Sequence, residues 1–537
     1  MHSPWWKRAR VLVALAMLAG LSAALLDFRG LVPHRLGHAL ASVQLVPAAL
    51  GAVAGLTLSV VALLAILALT LALGRVYCSA ICPLGIFQDI VSRLARQVGP
   101  KKRFLRHAKP LSWLRYGLLG ATLLAVLAGW SGVALALLDP YSNYGRIASD
   151  LFRPVGVLLN NGLVGVAEWF GWAWLYRVEP HWAGAGALAV PGVALTVVVA
   201  LSAWRGRLYC NTLCPVGTLL GMIARRAAWR IEIDQEACRK CGACLKACKA
   251  QCIDLRTAEI DASRCVGCFN CVPVCTEGGI GLVWKWHRGA AKDPEAAAPE
   301  ASAPPADEGR RAFISGSALA LTAAAGVAGA VVAEAGRRRR GQGRGPQDQG
   351  IVFGPVCPPG SKSVERFLDV CTACHLCVSA CPTGVLRPAT LEYGWAGLTK
   401  PQMDFSKSFC NFDCNRCGEV CPEGAILPLA LAEKKTTQLG VARFRRYMCI
   451  VHEEGTACGA CAEHCPTGAV HMVPFRDGLT IPQVEPEQCI GCGACEYACP
   501  VRPARAIRVE ALPVHGRAIV VKDKPAESPA PVDDFPF

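Results

Sequence analysis

Charge is scarce in this chain. Asp, Glu, Lys and Arg together make up 18% of its 537 residues, against 53% hydrophobic residues, so part of it is expected in a membrane. No nucleotide-binding loop is legible: "GQGRGPQDQG" from Gly341 lacks the strand and helix context such a loop needs and reads as a linker. No hydrolytic constellation stands out either. Histidine is sparse, with 11 in all, and none lies in the four long apolar runs, which argues against a b-type haem. The net charge of +16 could suggest nucleic acid, but the basic residues lie beside apolar segments, as at Lys101-Lys102-Arg103 and Arg225-Arg226. They are topology signals, and no nucleic-acid partner is expected.

Cysteine is what the chain has in abundance. Its 30 cysteines fall mostly in tight blocks, which argues for metal ligation over a disulfide scaffold. The apolar runs Val11–Leu26, Leu45–Leu73, Tyr116–Leu138 and Ala183–Trp204 are expected to span, since a crossing needs about 20 apolar residues. Val155–Tyr176, rich in Trp, is expected to lie at the interface. Basic residues cluster at the N-terminus (Lys7, Arg8, Arg10), after the second run and after the fourth, so those regions are expected on the cytoplasmic side.

Two stretches repeat. "GRVYCSAICPLG" starts at Gly74 and "GRLYCNTLCPVG" at Gly206, identical at seven of twelve positions. Each follows the second run of a pair, so the membrane part reads as two parallel repeats. Cys78 and Cys82, like Cys210 and Cys214, are spaced to share one helix face. The four are candidate ligands of a further metal or cluster, or else redox-active or structural thiols.

"CRKCGACLKACKAQC" from Cys238 and "CVGCFNCVPVC" from Cys265 both have the spacing C-x2-C-x2-C-x3-C. In a two-cluster ferredoxin three cysteines of one block bind one cubane and the fourth binds the other. That places Cys238, Cys241, Cys244 and Cys275 on one [4Fe-4S] cluster, and Cys265, Cys268, Cys271 and Cys248 on a second. Zinc fits poorly, because its C-x2-C pairs are usually separated by a longer loop. Lys249 and Thr276 stand where such blocks carry proline, and Cys252 reads as packing.

Four further blocks follow: Cys371, Cys374, Cys377 and Cys381; Cys410, Cys414, Cys417 and Cys421; Cys449, Cys458, Cys461 and Cys465; Cys489, Cys492, Cys495 and Cys499. They imply four more cubanes, six in all. Consecutive blocks pair, or the first pairs with the fourth and the second with the third; spacing does not decide. Cys371-Thr372-Ala373-Cys374-His375 matches the haem c attachment motif, but its cysteines already belong to an intact ferredoxin block. Cys357 reads as an inert thiol.

These motifs resemble a known pair of proteins. The first 285 or so residues are similar to the NapH-type membrane ferredoxin of periplasmic nitrate reductase systems, and residues from about 309 onward to the NapG-type exported ferredoxin. The resemblance implies a quinol dehydrogenase of the bacterial inner membrane. It would draw on the quinone pool and pass electrons to a periplasmic c-type cytochrome or reductase. Two alternatives stay open: electrons supplied by a cytoplasmic ferredoxin or flavodoxin, and an accessory role in maturing or reactivating a metalloenzyme. The quinone site is not legible. The loop Leu138 to Ile147, with Asp139, is one candidate, and His34 and His38 read as an interfacial polar turn.

The expected fold is multi-domain: an α-helical membrane bundle of four spans plus a signal-anchor-like span, with α+β ferredoxin-like two-cluster modules. Residues 1–230 form the membrane domain, 231–286 a cytoplasmic ferredoxin domain and 287–308 a disordered linker. Residues 309–335 resemble a twin-arginine export signal, with Arg310-Arg311 ahead of a weakly apolar run. Residues 336–510 form a periplasmic four-cluster domain, and 511–537 a tail. A folded iron–sulfur domain needs an export route that carries folded proteins, which accounts for such a signal in mid-chain. Replacing both Arg310 and Arg311 with lysine is therefore expected to keep residues 336–510 inside, read as loss of protease accessibility in spheroplasts.

Overall fold

A computed structural model describes residues 5–98, 107, 110–171, 175–180, 182–284 and 354–519. The expected linker at 287–308, the twin-arginine segment at 309–335 and the last residues of the tail lie outside these.

The first helices follow the apolar runs. α1 (Trp5–Leu26) is continuous, and the chain then turns at Asp27. The Asp27 carboxylate accepts hydrogen bonds from the backbone N–H groups of Arg29, Gly30, Leu31 and Val32, which fixes that turn. α2 (His34–Ser42) and α3 (Leu45–Val53) meet at a bend of 94°. α4 (Thr57–Leu73) follows a tight turn containing Gly55 at φ +80°. α5 (Tyr77–Ala80) and α6 (Pro83–Val98) complete the first repeat. The second repeat comprises α7 (Ser112–Leu127), α8 (Ser131–Leu138), α9 (Pro140–Arg146), a π-helical turn (Ile147–Phe152), α10 (Arg153–Trp169), α11 (Ala185–Arg205), α12 (Leu208–Thr212) and α13 (Pro215–Ala224).

Among the described residues two helices, α1 and α11, are long and apolar enough to cross a membrane, or three spans if the bent α2–α3 pair is one, rather than the four expected. The run Leu45–Leu73 is broken between α3 and α4, and Tyr116–Leu138 between α7 and α8, where Gly129 takes φ +81°. Glycine at a helix end adopts the left-handed conformation without penalty and stops the helix. Long apolar stretches read as single spans therefore fold as shorter pieces. The interfacial run Val155–Tyr176 becomes α10, with Leu159, Leu163 and Trp169 exposed on one face and Val157, Asn160 and Val164 buried on the other.

Five two-stranded antiparallel sheets complete the described residues. β1 (Trp229–Ile233) pairs with β4 (Ile280–Trp284), and β2 (Ile253–Asp254) with β3 (Glu259–Ile260), to frame the first ferredoxin module. In the second module β5 (Leu386–Pro388) pairs with β6 (Pro401–Met403), β8 (Val470–Pro474) with β9 (Thr480–Val484), and β7 (Thr437–Phe444) with β10 (Ile507–Arg517). The tail expected from Ala511 thus starts later. β10 continues to Arg517 because Ala511 and Leu512 are buried on β7.

The two ferredoxin modules lie at opposite ends of the helix bundle. At the start of α1, the Trp6 ring stacks on Phe269 at 6.2 Å; at its end, the Ser379 hydroxyl donates to the Leu25 carbonyl at 2.8 Å. From Trp6 to Leu25 α1 rises about 29 Å at about 1.5 Å per residue. α11 runs the other way, with Gly186 packed on Thr390 at one end and the Arg207 N–H donating to the Lys249 carbonyl just beyond the other.

Two glycines let each motif turn close on itself and leave room for the other repeat's arginine. A Cβ on Gly85 would collide with the Cys78 carbonyl, and one on Gly217 with the Cys210 carbonyl. Gly217→Val is expected to destabilise the fold by roughly 1–3 kcal/mol through overpacking. A lowered midpoint in a detergent thermal melt would report it, and an unchanged melt would mean the motif turn is not closed this tightly.

Candidate functional site

The sequence places a glycine and an arginine ahead of each Cys-x-x-x-Cys-Pro motif, and both have structural work. Gly74 (φ +72°) and Gly206 (φ +66°) end α4 and α11. Each following arginine then crosses into the other repeat. Arg75 donates to the Cys210 carbonyl at 3.3 Å and to Asn211 at 3.1 Å, and Arg207 donates to the Cys78 carbonyl. Pro83 and Pro215 open α6 and α13 at the helix position where proline is tolerated.

This corrects the expectation of one shared helix face. Cys78 and Cys210 lie on the short helices α5 and α12, while Cys214 sits ahead of α13 at φ −79°, ψ 113°. A residue before proline is kept out of the helical region, so the helix breaks at the second cysteine. The Cys214 sulfur instead accepts the Gly217 N–H at 3.3 Å, and Cys82 takes the same bond from Gly85.

All four motif cysteines are 3% exposed. Burial pushes the Cys82, Cys210 and Cys214 thiols up, and neighbouring motif sulfurs add to it. Four such sulfurs ionise together only around a positive centre, so the donor set fits a metal cluster. Arg75, Arg207 and the Gln88 amide, 3.2 Å from the Cys210 sulfur, supply compensating positive charge and a donor.

Asp89 on α6 locks this face together. Its carboxylate receives Arg207 at 2.7 and 2.8 Å, Lys249 of the first ferredoxin module at 3.0 Å, and Arg10 of α1 at 3.9 Å. Lys249, at the position where ferredoxin blocks carry proline, is thus a docking residue. Arg75 and Arg115 add hydrogen bonds to the Ser263 carbonyl at 2.9 and 2.7 Å.

In the first module Cys238, Cys241, Cys244 and Cys275 line one small cavity; Cys248, Cys265, Cys268 and Cys271 line another. These are the two groups expected from spacing. Cys252 lies 3.7 Å from the Cys248 sulfur, against the second group. In the second module the open pairing is decided in favour of consecutive blocks. Cys421 bears on Cys371, Cys374 and Cys377, while Cys381 lines a cavity with Cys410, Cys414 and Cys417. Cys499 likewise bears on Cys449 and Cys461, and Cys465 on Cys489, Cys492 and Cys495. Among the described residues no three His, Cys, Asp or Glu side chains converge tightly enough for one metal ion.

The second module docks on the far end of the bundle. Asp139 caps α9 through the Ser142 N–H at 2.7 Å, and the Ser142 hydroxyl is 2.8 Å from Thr372. The Thr372 N–H also donates to the Glu423 carboxylate at 3.1 Å. Burial raises Asp139 to about 6 and Glu423 to about 7. Asp139 is therefore an interface group, fully engaged in capping. His375, buried completely, lies 2.9 Å from Asp150 of the π-helical turn and 2.7 Å from the Thr399 carbonyl. His34 pairs with Glu419 at 3.2 Å. Cys357 is buried and lies 3.4 Å from His515.

Three family descriptions match. "4Fe-4S binding domain" covers residues 56–102 and 187–232, the two Cys-x-x-x-Cys-Pro repeats; "4Fe-4S dicluster domain" covers 370–426 and 454–502, the block pairs the structure brings together. The ferredoxin-type protein NapF of Escherichia coli K12 is 30% identical over 160 residues, 30% of this chain and 87% of NapF. This chain belongs to the ferredoxin-type family. Another relative in that family is the methylamine utilization ferredoxin-type protein MauM of Paracoccus denitrificans, 34% identical over 29% of this chain and 70% of MauM. The putative electron transport protein YccM of Escherichia coli K12 is 25% identical over 40% of this chain and 52% of YccM. No solved structure matches. A ferredoxin-type protein with several [4Fe-4S] domains is a multi-cluster electron-transfer protein. These relatives carry the names NapF, MauM and YccM, which support an electron-transfer ferredoxin family and do not extend to the finer likeness to NapH and NapG.

Of the crossed arginines, Arg207 finds its charge partner in Asp89. Burial works against that carboxylate, yet Arg207 and Lys249 hold it at about 2, below its ordinary 3.8. A depressed value adds stability above pH 3.8 that disappears as pH falls through about 2. Asp89→Asn is expected to cost about 3 kcal/mol at neutral pH by stranding buried cations, and to flatten the acid limb of the stability curve. Chemical unfolding across that pH range measures both.

Proposed function

We propose that this protein is a membrane-bound quinol dehydrogenase that wires electrons through its ferredoxin modules to an acceptor outside the inner membrane. The supporting observation is the series of cysteine groups at the two ends of the bundle. It runs from Cys238–Cys275 through Cys248–Cys271 and the buried motif quartet, across the bundle to Cys371–Cys421, and on to Cys489–Cys465 and Cys499–Cys449. Within the second module the Cys410 N–H donates to the Cys492 carbonyl at 2.9 Å, so the two block pairs are in direct contact. We assign six [4Fe-4S] clusters to the six ferredoxin groups and a seventh centre to Cys78, Cys82, Cys210 and Cys214.

When bound, such clusters supply one-electron acceptance and donation at closely spaced stations. The residues of the chain itself order those stations, bury the thiols and keep water from them. Basic loops at the end that carries the first module favour the cytoplasm for that face and the periplasm for the other.

A second reading has electrons entering from a cytoplasmic ferredoxin. Cys241 is exposed, and Arg239 and Lys240 beside it would suit an acidic donor. The two readings separate in isolated membranes. A short-chain quinol is expected to bleach the cluster absorbance; bleaching by reduced ferredoxin alone would discard the quinol reading.

A further inference from the structure

The sequence of α9 is "PYSNYGR", and all 7 of its residues are buried. A run this polar is costly to bury unless its groups find partners, so what each one meets is informative. One side of α9 meets the second ferredoxin module. The Ser142 hydroxyl is 2.8 Å from Thr372 Oγ1, and the Tyr141 hydroxyl lies beside the Cys374 sulfur. A Cβ on Gly145 would collide with the Cys374 carbonyl, so the helix backbone rests directly on the ligand loop. Only a residue without a Cβ lets two backbones come this close.

The other side of α9 meets the repeats. Tyr144 packs on Phe87 of α6, with ring centroids 6.3 Å apart. The Asn143 amide donates to the Tyr209 hydroxyl at 3.5 Å. That amide is held in place: Arg146 donates to its oxygen at 2.9 Å, and its nitrogen also donates to the Leu137 and Asp139 carbonyls at 2.9 and 3.0 Å. Tyr209 is the residue before Cys210, and Thr372 is the residue after Cys371. A path from one cysteine to the other therefore runs through Tyr209, Asn143, Ser142 and Thr372. Its steps are peptide bonds between chain neighbours, apart from the two contacts Asn143–Tyr209 and Ser142–Thr372. The copy of Tyr209 in the first repeat, Tyr77, is used differently. Its hydroxyl donates to Gln44 at 3.1 Å and accepts the Leu45 N–H at 2.9 Å, which holds the bend between α2 and α3. Of the two tyrosines, the one in the second repeat is hydrogen-bonded to α9.

We infer that α9 is the electron bridge between the Cys-x-x-x-Cys-Pro quartet and the Cys371–Cys421 group, with Tyr209, Asn143, Ser142 and Thr372 as its path. The inference rests on the reading that electrons cross the bundle, and adds the place. Electronic coupling falls off less steeply through bonds than across gaps, so a path with few non-covalent contacts is the faster one. One electron leaves the reduced centre of the quartet, which is thereby oxidised, and reduces the oxidised cubane held by Cys371, Cys374, Cys377 and Cys421. No bond is made or broken, and no proton has to move along α9. The four path residues are positioning residues: they set the route and its coupling, while the clusters hold the charge.

The experiment uses the full-length protein in inside-out membrane vesicles depleted of quinone. Dithionite, which does not cross the membrane, reaches the first module there, and freeze-quench electron paramagnetic resonance follows the clusters. Reduction is expected in two phases, the first module directly and the second module through the bundle. Ser142→Ala and Asn143→Leu are each expected to slow the second phase severalfold. The first phase and the midpoint potentials of all clusters are expected to stay as in the wild type, which a merely structural lesion would not leave unchanged. Ser142→Thr keeps the hydroxyl and the wild-type rate. Tyr77→Phe, on the tyrosine that bonds away from α9, keeps that rate too. A second phase as fast in Ser142→Ala and Asn143→Leu as in the wild type overturns the bridge and leaves the crossing standing. Slowing accompanied by shifted potentials also overturns the bridge. A wild-type protein whose second module is never reduced from this side overturns the crossing as well.

Discussion

The crossed pair of arginines is the constraint on which the rest of the molecule depends. Arg75 and Arg207 each leave their own repeat and donate to a cysteine carbonyl of the other. A buried guanidinium is tolerable only when its donors are satisfied, so the two repeats are held in one relative position. That position brings Cys78, Cys82, Cys210 and Cys214 together. The same arginines reach beyond the membrane part: Arg75 to Ser263, and Arg207 through Asp89 to Lys249. The first ferredoxin module is therefore docked by the charges that join the repeats.

The opposite face is built on different chemistry. There the contacts are mostly hydroxyls, carboxylates and one histidine: Ser142 with Thr372, Thr372 with Glu423, Asp150 with His375. Burial holds Asp139 and Glu423 towards their neutral forms, while Arg146 and Arg153 cross the same face to Thr399 and the Ser379 carbonyl. One end of the bundle thus carries compensated charge around sulfur. The other carries hydrogen-bonding groups around α9. Two helices, α1 and α11, set the distance between them.

Much of this was readable from residue order. Cysteine spacing marked every ferredoxin group, because ligand geometry is local: three thiolates of a block come from one tight loop. The repeated Gly-Arg-x-Tyr-Cys marked the quartet, although the role of its arginine emerges only when both repeats are seen together. Helix lengths were read too long, since a single glycine at positive φ divides an apolar run that hydropathy joins. Asp150 was missed. It lies in a run with no motif, and its partner is 225 residues away.

By itself, then, the sequence determined the spacing of the cysteine blocks, which segments are apolar, and that the two Cys-x-x-x-Cys-Pro stretches are copies. Tertiary structure alone decided the pairing of the four later cysteine blocks, the opposition of the two modules and the contacts of α9 with Tyr209 and Thr372. The physical reason is range. Ligand loops and helix stops are set by neighbours within a few residues, whereas a bridging helix and a shared cluster need side chains that meet only after the chain has packed.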